Sequence, residues 1–66
     1  MIKTKLKAPV FLFPHKDSPR ATIIIEVTET LHTLKEEGDW VYVEHKRSMM
    51  AGWIRKTELS KAAQAG

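Results

Sequence analysis

The side chains that could bind a metal or perform acid–base chemistry are scattered along this sequence. Its three histidines, His15, His32 and His45, share no spacing that would bring imidazoles together as metal ligands. There is no cysteine to act as a nucleophile or thiolate ligand. The carboxylates between Glu36 and Asp39 are typical of a solvated turn. The sequence therefore predicts no catalytic residue, no metal site, no cofactor and a protein that is not an enzyme.

Aromatic side chains are better candidates for a function, and the function would be binding. Trp40 and Tyr42 alternate with Val41 and Val43, and side chains on a strand alternate between its two faces. If the valines are core, the aromatic pair is at least partly exposed and can anchor a ligand. The alternative, in which Trp40 only covers the rim of a small core, stays open. For Trp53, which directly follows Gly52 in the sequence, packing is favoured over binding.

The candidate ligand-binding set joins these aromatic residues to residues of a long polar loop, 13–20, and to one nearby cation. Its members are Phe13, His15, Trp40, Tyr42, Trp53 and Arg55.

Short β-strands must position these side chains. Runs rich in β-branched and aromatic residues predict strands over 10–13, 22–27, 30–35 and 40–45, and a fifth strand around Trp53 and Ile54. Gly38 predicts a tight hairpin that needs a positive φ, and Gly52 indicates a bulge or a close backbone approach. A short helical turn is predicted over 55–58, before Leu59 and the last strand. Five short strands in so small a chain predict an all-β barrel.

Length and charge limit the remaining classes. A chain of 66 residues holds one domain, and we expect the barrel over 1–60 and a flexible tail or linker over 61–66. The longest wholly apolar runs, four residues each at 10–13 and 40–43, are too short for a membrane span or a signal peptide. The chain as given therefore reads as cytoplasmic, and as an envelope or extracellular protein if an upstream signal was removed.

The net charge of +3 is unevenly distributed. Segments 1–20 and 46–66 each carry five cations and one anion, whereas 21–45 carries one cation and six anions. If the chain ends meet, their cations form one basic surface beside an acidic one. Such a surface near Trp53 could bind single-stranded nucleic acid, but the anions around Trp40 and Tyr42 would repel phosphates.

Two segments resemble a known family. The run GDWVYV at 38–43, followed by GWI at 52–54 and then Leu59, is similar to the second half of bacterial Src-homology-3 (SH3b) domains. The resemblance implies a small five-stranded SH3-like barrel that acts as a non-catalytic docking module, often joined to cell-wall enzymes. Its ligand would be a protein segment or a peptidoglycan-type molecule. Proline-rich peptides are not expected, because Arg55 and Glu58 stand where eukaryotic relatives have proline and tyrosine.

Two other interpretations of the function stay open. The chain could be a structural interaction domain or subunit of a larger assembly, without a small ligand. It could also bind nucleic acid weakly through the basic surface described above.

Overall fold

The computed structural model describes residues 2–25 and 30–64, and within them the chain is mostly antiparallel β-structure with one helix. The elements in chain order are β1 (Ile2–Lys5), β2 (Val10–Leu12), β3 (Ile23–Ile25), β4 (Thr30–Glu37), β5 (Trp40–His45), β6 (Met50–Arg55) and α1 (Lys56–Gln64). The predicted all-β class is therefore confirmed, apart from the helix. Part of the predicted strand over 22–27 lies outside the described residues.

The strands form two sheets. The larger has the order β1-β4-β5-β6, and the smaller pairs β2 with β3. Among the described residues, one bridge connects them, between Phe13 and Trp53, with two backbone hydrogen bonds of 2.8 and 2.7 Å. The described strands number six instead of the predicted five, and the two sheets do not close on each other.

The extra strand is β1, which the sequence did not predict. It pairs with β4 from Ile2 opposite Thr33 to Lys5 opposite Thr30. Two of its four residues are lysines, so it lacks the apolar run that marks a strand. Its position is set by long-range pairing to β4.

The core lies between the sheets and the helix. On β5 the buried residues are Val41 and Val43, whereas Trp40 and Tyr42 are half-buried on the other face, so the predicted alternation is confirmed. Apolar side chains from every element after β1 and from the segment before β2 complete the cluster: Leu6, Val10, Leu12, Ile25, Leu31, Val41, Val43, Ile54, Leu59 and Ala62.

Both predictions for glycine are confirmed. Gly38 has a φ of 58° in the turn between β4 and β5, a conformation that side chains other than glycine adopt at a cost. At Gly52 the backbones of β6 and β2 approach closely, because a Cβ there would lie 2.8 Å from the Leu12 Cβ.

The C-terminal part of the chain corrects two predictions. The helical segment does not precede the last strand; it follows that strand and includes Leu59. The expected flexible tail over 61–66 is instead helical through Gln64. Leu59 and Ala62, three residues apart on one helix face, are both buried, and the Lys7 N–H donates to the Ala62 carbonyl at 2.8 Å. Residues 65 and 66 lie outside the described part.

Candidate functional site

The pairing of β5 with β6 assembles the outer aromatic face. Trp40 lies opposite Arg55, and Tyr42 lies opposite Trp53. Directly opposite residues of an antiparallel pair project from the same face of the sheet, so these four side chains are neighbours. The structure therefore brings together four of the six predicted site residues through strand register alone.

Phe13 joins this face and forms a stack with Trp40 and Arg55. The Phe13 and Trp40 rings meet edge to face, with centroids 5.4 Å apart and planes at 85°. The Arg55 guanidinium carbon lies over the Trp40 ring, 4.6 Å from its centroid. Edge-to-face rings and cations over indoles are both favourable arrangements. Trp40 is thus held between an aromatic ring and a cation.

A second aromatic pair lies next to this stack. The rings of Tyr42 and Trp53 are 5.0 Å apart. The Lys35 ammonium lies 5.4 Å from the Trp53 centroid and 5.6 Å from that of Tyr42, and the Lys16 ammonium lies 5.2 Å from Trp53. Trp53 is only 8% exposed. Packing therefore accounts for Trp53, which offers little surface to a ligand.

A groove of about 580 Å³ opens beside the Phe13–Trp40–Arg55 stack. It runs between β2, the end of β6 and the first turn of α1. Six of the residues that line it are apolar and two are charged: Pro9, Val10, Phe11, Phe13, Ala21 and Ile54, with Arg55 and Glu58. The groove is an apolar channel with a positive and a negative group on its walls.

The sequence pointed to only two residues of this groove as site residues, Phe13 and Arg55. It missed Phe11, which is 56% exposed although it belongs to a strand whose neighbours Val10 and Leu12 are buried. The signal was present, because Phe11 alternates with those two core residues. An exposed aromatic side chain on a short strand marks a surface available for contact.

His15 is the predicted site residue that the structure places apart from the aromatic stack. It is exposed in the loop after β2, where its carbonyl accepts a hydrogen bond of 3.2 Å from the Ser18 N–H. It lines a shallow depression with Asp17, Ser18 and Pro19. This loop returns to the aromatic face through Lys16, not through the histidine.

The other histidines lie on two further elements. His32 is on β4 opposite Glu44, and His45 ends β5, with its Nδ1 2.5 Å from the Ser48 Oγ. Among the described residues no three His, Asp or Glu side chains are grouped so that they could hold a metal ion. No helix in the described ranges is long and apolar enough to cross a membrane.

Ion pairs organise the charges near the site. Lys16 pairs with Glu37, which also lies 4.0 Å from Lys35. The hydrogen bond from Lys16 is the main reason that the pKa of Glu37 is lowered. Desolvation, the next largest effect, raises the pKa, and the charges of Lys16 and Lys35 add to the lowering. Since this pair is exposed, its contribution to stability is small.

Further ion pairs reduce the positive charge of the predicted basic surface. The N-terminal and C-terminal parts do meet, at the backbone contact between Lys7 and Ala62. However, Lys56 lies 3.0 Å from Glu36, and Lys61 lies 3.3 Å from Glu58. Each of these cations therefore has a carboxylate beside it that would compete with a nucleic-acid phosphate.

Searches against protein-family models, curated proteins and solved structures find no match to this chain. The function must therefore be argued from the groove and the aromatic face.

Proposed function

We propose that this chain is a non-catalytic binding module that receives an extended protein segment in the groove beside Trp40. The observation that carries the proposal is the groove itself. Its volume of about 580 Å³ lies within the range of about 300 to 1,000 Å³ that is usual for ligand sites, and its walls are mainly apolar. Few polar groups on apolar walls are typical of sites that bind by shape and burial.

We also propose that the fold is an open variant of an SH3-like barrel. The support is the order of the strands: β4, β5 and β6 form a meander, and Phe13, directly after β2, pairs with Trp53 of β6. The two segments that resemble SH3b domains lie side by side on β5 and β6. The helix α1 follows β6 and contains Leu59, the final apolar residue of the segment that resembles SH3b domains.

The chemistry of the groove favours binding over catalysis. Its charged side chains are Arg55 and Glu58. A guanidinium stays protonated and cannot act as a general base at neutral pH. Glu58 is exposed and lies 3.3 Å from the Lys61 ammonium, unlike the buried carboxylates typical of acid–base catalysis.

Trp40 packs against two residues of the groove wall. It does not line the groove, but it contacts both Phe13 and Arg55, which do. Trp40→Ala is therefore expected to leave the domain folded while weakening ligand binding, because two wall residues lose their common support. The matched control is Leu34→Ala, which shortens an exposed apolar side chain on β4 outside the groove.

The test is an amide-resolved NMR titration of the isolated domain with pooled peptides and, separately, with soluble peptidoglycan fragments. Saturable shifts at Phe11, Phe13 and Arg55 with peptides, reduced by Trp40→Ala, are the expected result. Shifts only with peptidoglycan fragments would contradict a protein ligand and favour a wall-directed module. If neither probe shifts these signals, the groove is not a binding site.

A second candidate function is a structural interaction domain, and β3 supports it. Within the described ranges β3 pairs with β2 on one side and with no strand on the other. Its residues 23–25 are all isoleucine, and Ile24 is 54% exposed opposite Phe11. Such an edge can accept another strand. Sedimentation velocity of the wild type and of Ile24→Lys would test it, since association that the lysine abolishes is the expected result.

A further inference from the structure

Arg55 is the charged residue of the groove whose N–H donors have no hydrogen-bond partner among the residues that the structure describes. Its guanidinium lies over the Trp40 ring, and within the described part of the chain it makes no hydrogen bond and no ion pair. A guanidinium carries five N–H donors in a fixed planar arrangement that matches a carboxylate. Here that group is held at the wall of an apolar groove, where its donors can reach a ligand.

The position of the guanidinium is restricted before any ligand binds. Trp40 lies under it, and Phe13 packs against Trp40 from the edge, 5.4 Å away. Phe13 is itself fixed by two backbone hydrogen bonds to Trp53. A cation held by such contacts loses less conformational entropy on binding than a free surface arginine would.

The negative residue of the groove does not cancel this charge. The Glu58 carboxylate lies 3.3 Å from the Lys61 ammonium on the next turn of α1, so it already has a cationic neighbour. The other nearby lysine, Lys56, forms an ion pair with Glu36 at 3.0 Å. The uncompensated charge on the groove wall is therefore positive, and it complements an anion.

We infer that the groove selects protein segments in which an apolar side chain is followed or preceded closely by a carboxylate. The apolar side chain fills the channel between Phe11 and Ile54, and the carboxylate accepts paired N–H donors from Arg55. This inference depends on the proposed function of the groove. It adds the charge of the ligand and makes Arg55 the residue that determines specificity.

The first experiment selects ligands without assuming their sequence. A displayed library of random 12-residue peptides is enriched on the wild-type domain, on Arg55→Gln and on Lys46→Gln. Lys46 is an exposed lysine in the turn before β6, at the opposite end of that strand from Arg55, and its replacement removes the same charge. All three proteins are first shown to unfold cooperatively.

We expect the wild type and Lys46→Gln to enrich peptides with Asp or Glu within two residues of a large apolar side chain. Arg55→Gln should keep the apolar preference and lose the acidic one. The second experiment takes one enriched peptide and its Glu→Gln or Asp→Asn counterpart and measures both affinities by calorimetry. The wild type should bind the neutral peptide about tenfold more weakly, and Arg55→Gln should bind the two peptides within about twofold of each other.

The outcomes separate this inference from the function on which it depends. Apolar peptides without acidic enrichment on the wild type would overturn the inference and leave the groove as a peptide site. Equal acidic enrichment on Arg55→Gln would overturn it as well. If the wild type enriches no peptide above the background, the proposed function is wrong and the inference is wrong with it.

Discussion

An alanine at position 52 would place its Cβ 2.8 Å from the Leu12 Cβ and 3.0 Å from the Phe13 carbonyl oxygen. Neither atom can rotate away, because one is fixed directly to the backbone of β2 and the other belongs to the backbone. Relief requires β2 to move away from β6. That movement would lengthen the two hydrogen bonds between Phe13 and Trp53, which connect the two sheets.

The expected loss of stability is about 2 kcal/mol. Overfilling a packed interior costs about 1–3 kcal/mol, and the upper part of that range applies because the backbone must move. Alanine returns about 0.4–1 kcal/mol by restricting the unfolded chain. For a domain of this size each kcal/mol shifts the melting temperature by about 4–8 °C, so a decrease of about 8–16 °C is expected.

Gly38→Ala is the matched control, because an alanine Cβ there would meet nothing within 4 Å. Its cost comes only from the φ of 58° and should be about 1 kcal/mol. Urea unfolding followed by tryptophan fluorescence gives both free energies of unfolding. If Gly52→Ala loses no more stability than Gly38→Ala, the close approach of β2 to β6 is wrong.

Three further changes test other parts of the molecule. Val43 is completely buried, so Val43→Asp should unfold the domain in circular dichroism, and a folded spectrum would reverse the assignment of the β5 faces. Met49 has a φ of 60° and is 88% exposed, so Met49→Asn should raise the free energy of unfolding by up to about 1 kcal/mol; a decrease would mean that the methionine side chain contributes more than its backbone strain removes. Lys16→Gln should raise the lowered pKa of Glu37, measured by carboxyl ¹³C NMR. Because the pKa of Glu37 is lower in the folded state than in the unfolded state, the pair stabilises the fold at pH values above the unfolded-state pKa. This stabilisation is lost as the pH falls through the folded-state pKa. An unchanged titration of Glu37 in Lys16→Gln would contradict the pairing.

Local patterns in the sequence were sufficient for β5 and its hairpin. Strict alternation from Trp40 to Val43 and a glycine at the preceding turn gave both the strand and its buried face, and the structure has the same bounds. The helix was not recognised because only Leu59 and Ala62 of its nine residues are buried. Two buried residues are too few to give a periodic apolar pattern in the sequence. The helix forms because Leu59 and Ala62 pack against β6 and β2.

The groove could not be read from the sequence for a related reason. Its walls come from two parts of the chain, 9–21 and 54–58, that no short motif connects. The aromatic face was predictable because strand alternation sets it locally. The position of Phe13 beside this face depends instead on its long-range pairing with Trp53.

The bridge between the sheets at Phe13 and Trp53 also has a consequence for the order of folding. The strands β4, β5 and β6 are consecutive hairpin partners and can pair by closing short loops. Phe13 and Trp53 are 40 residues apart in sequence, so their pairing closes a much longer loop. Short loops close with a smaller entropic penalty, so we expect the meander to nucleate first and the N-terminal half to dock late. Since the groove exists only after docking, a bound ligand would stabilise that last step and slow its reversal.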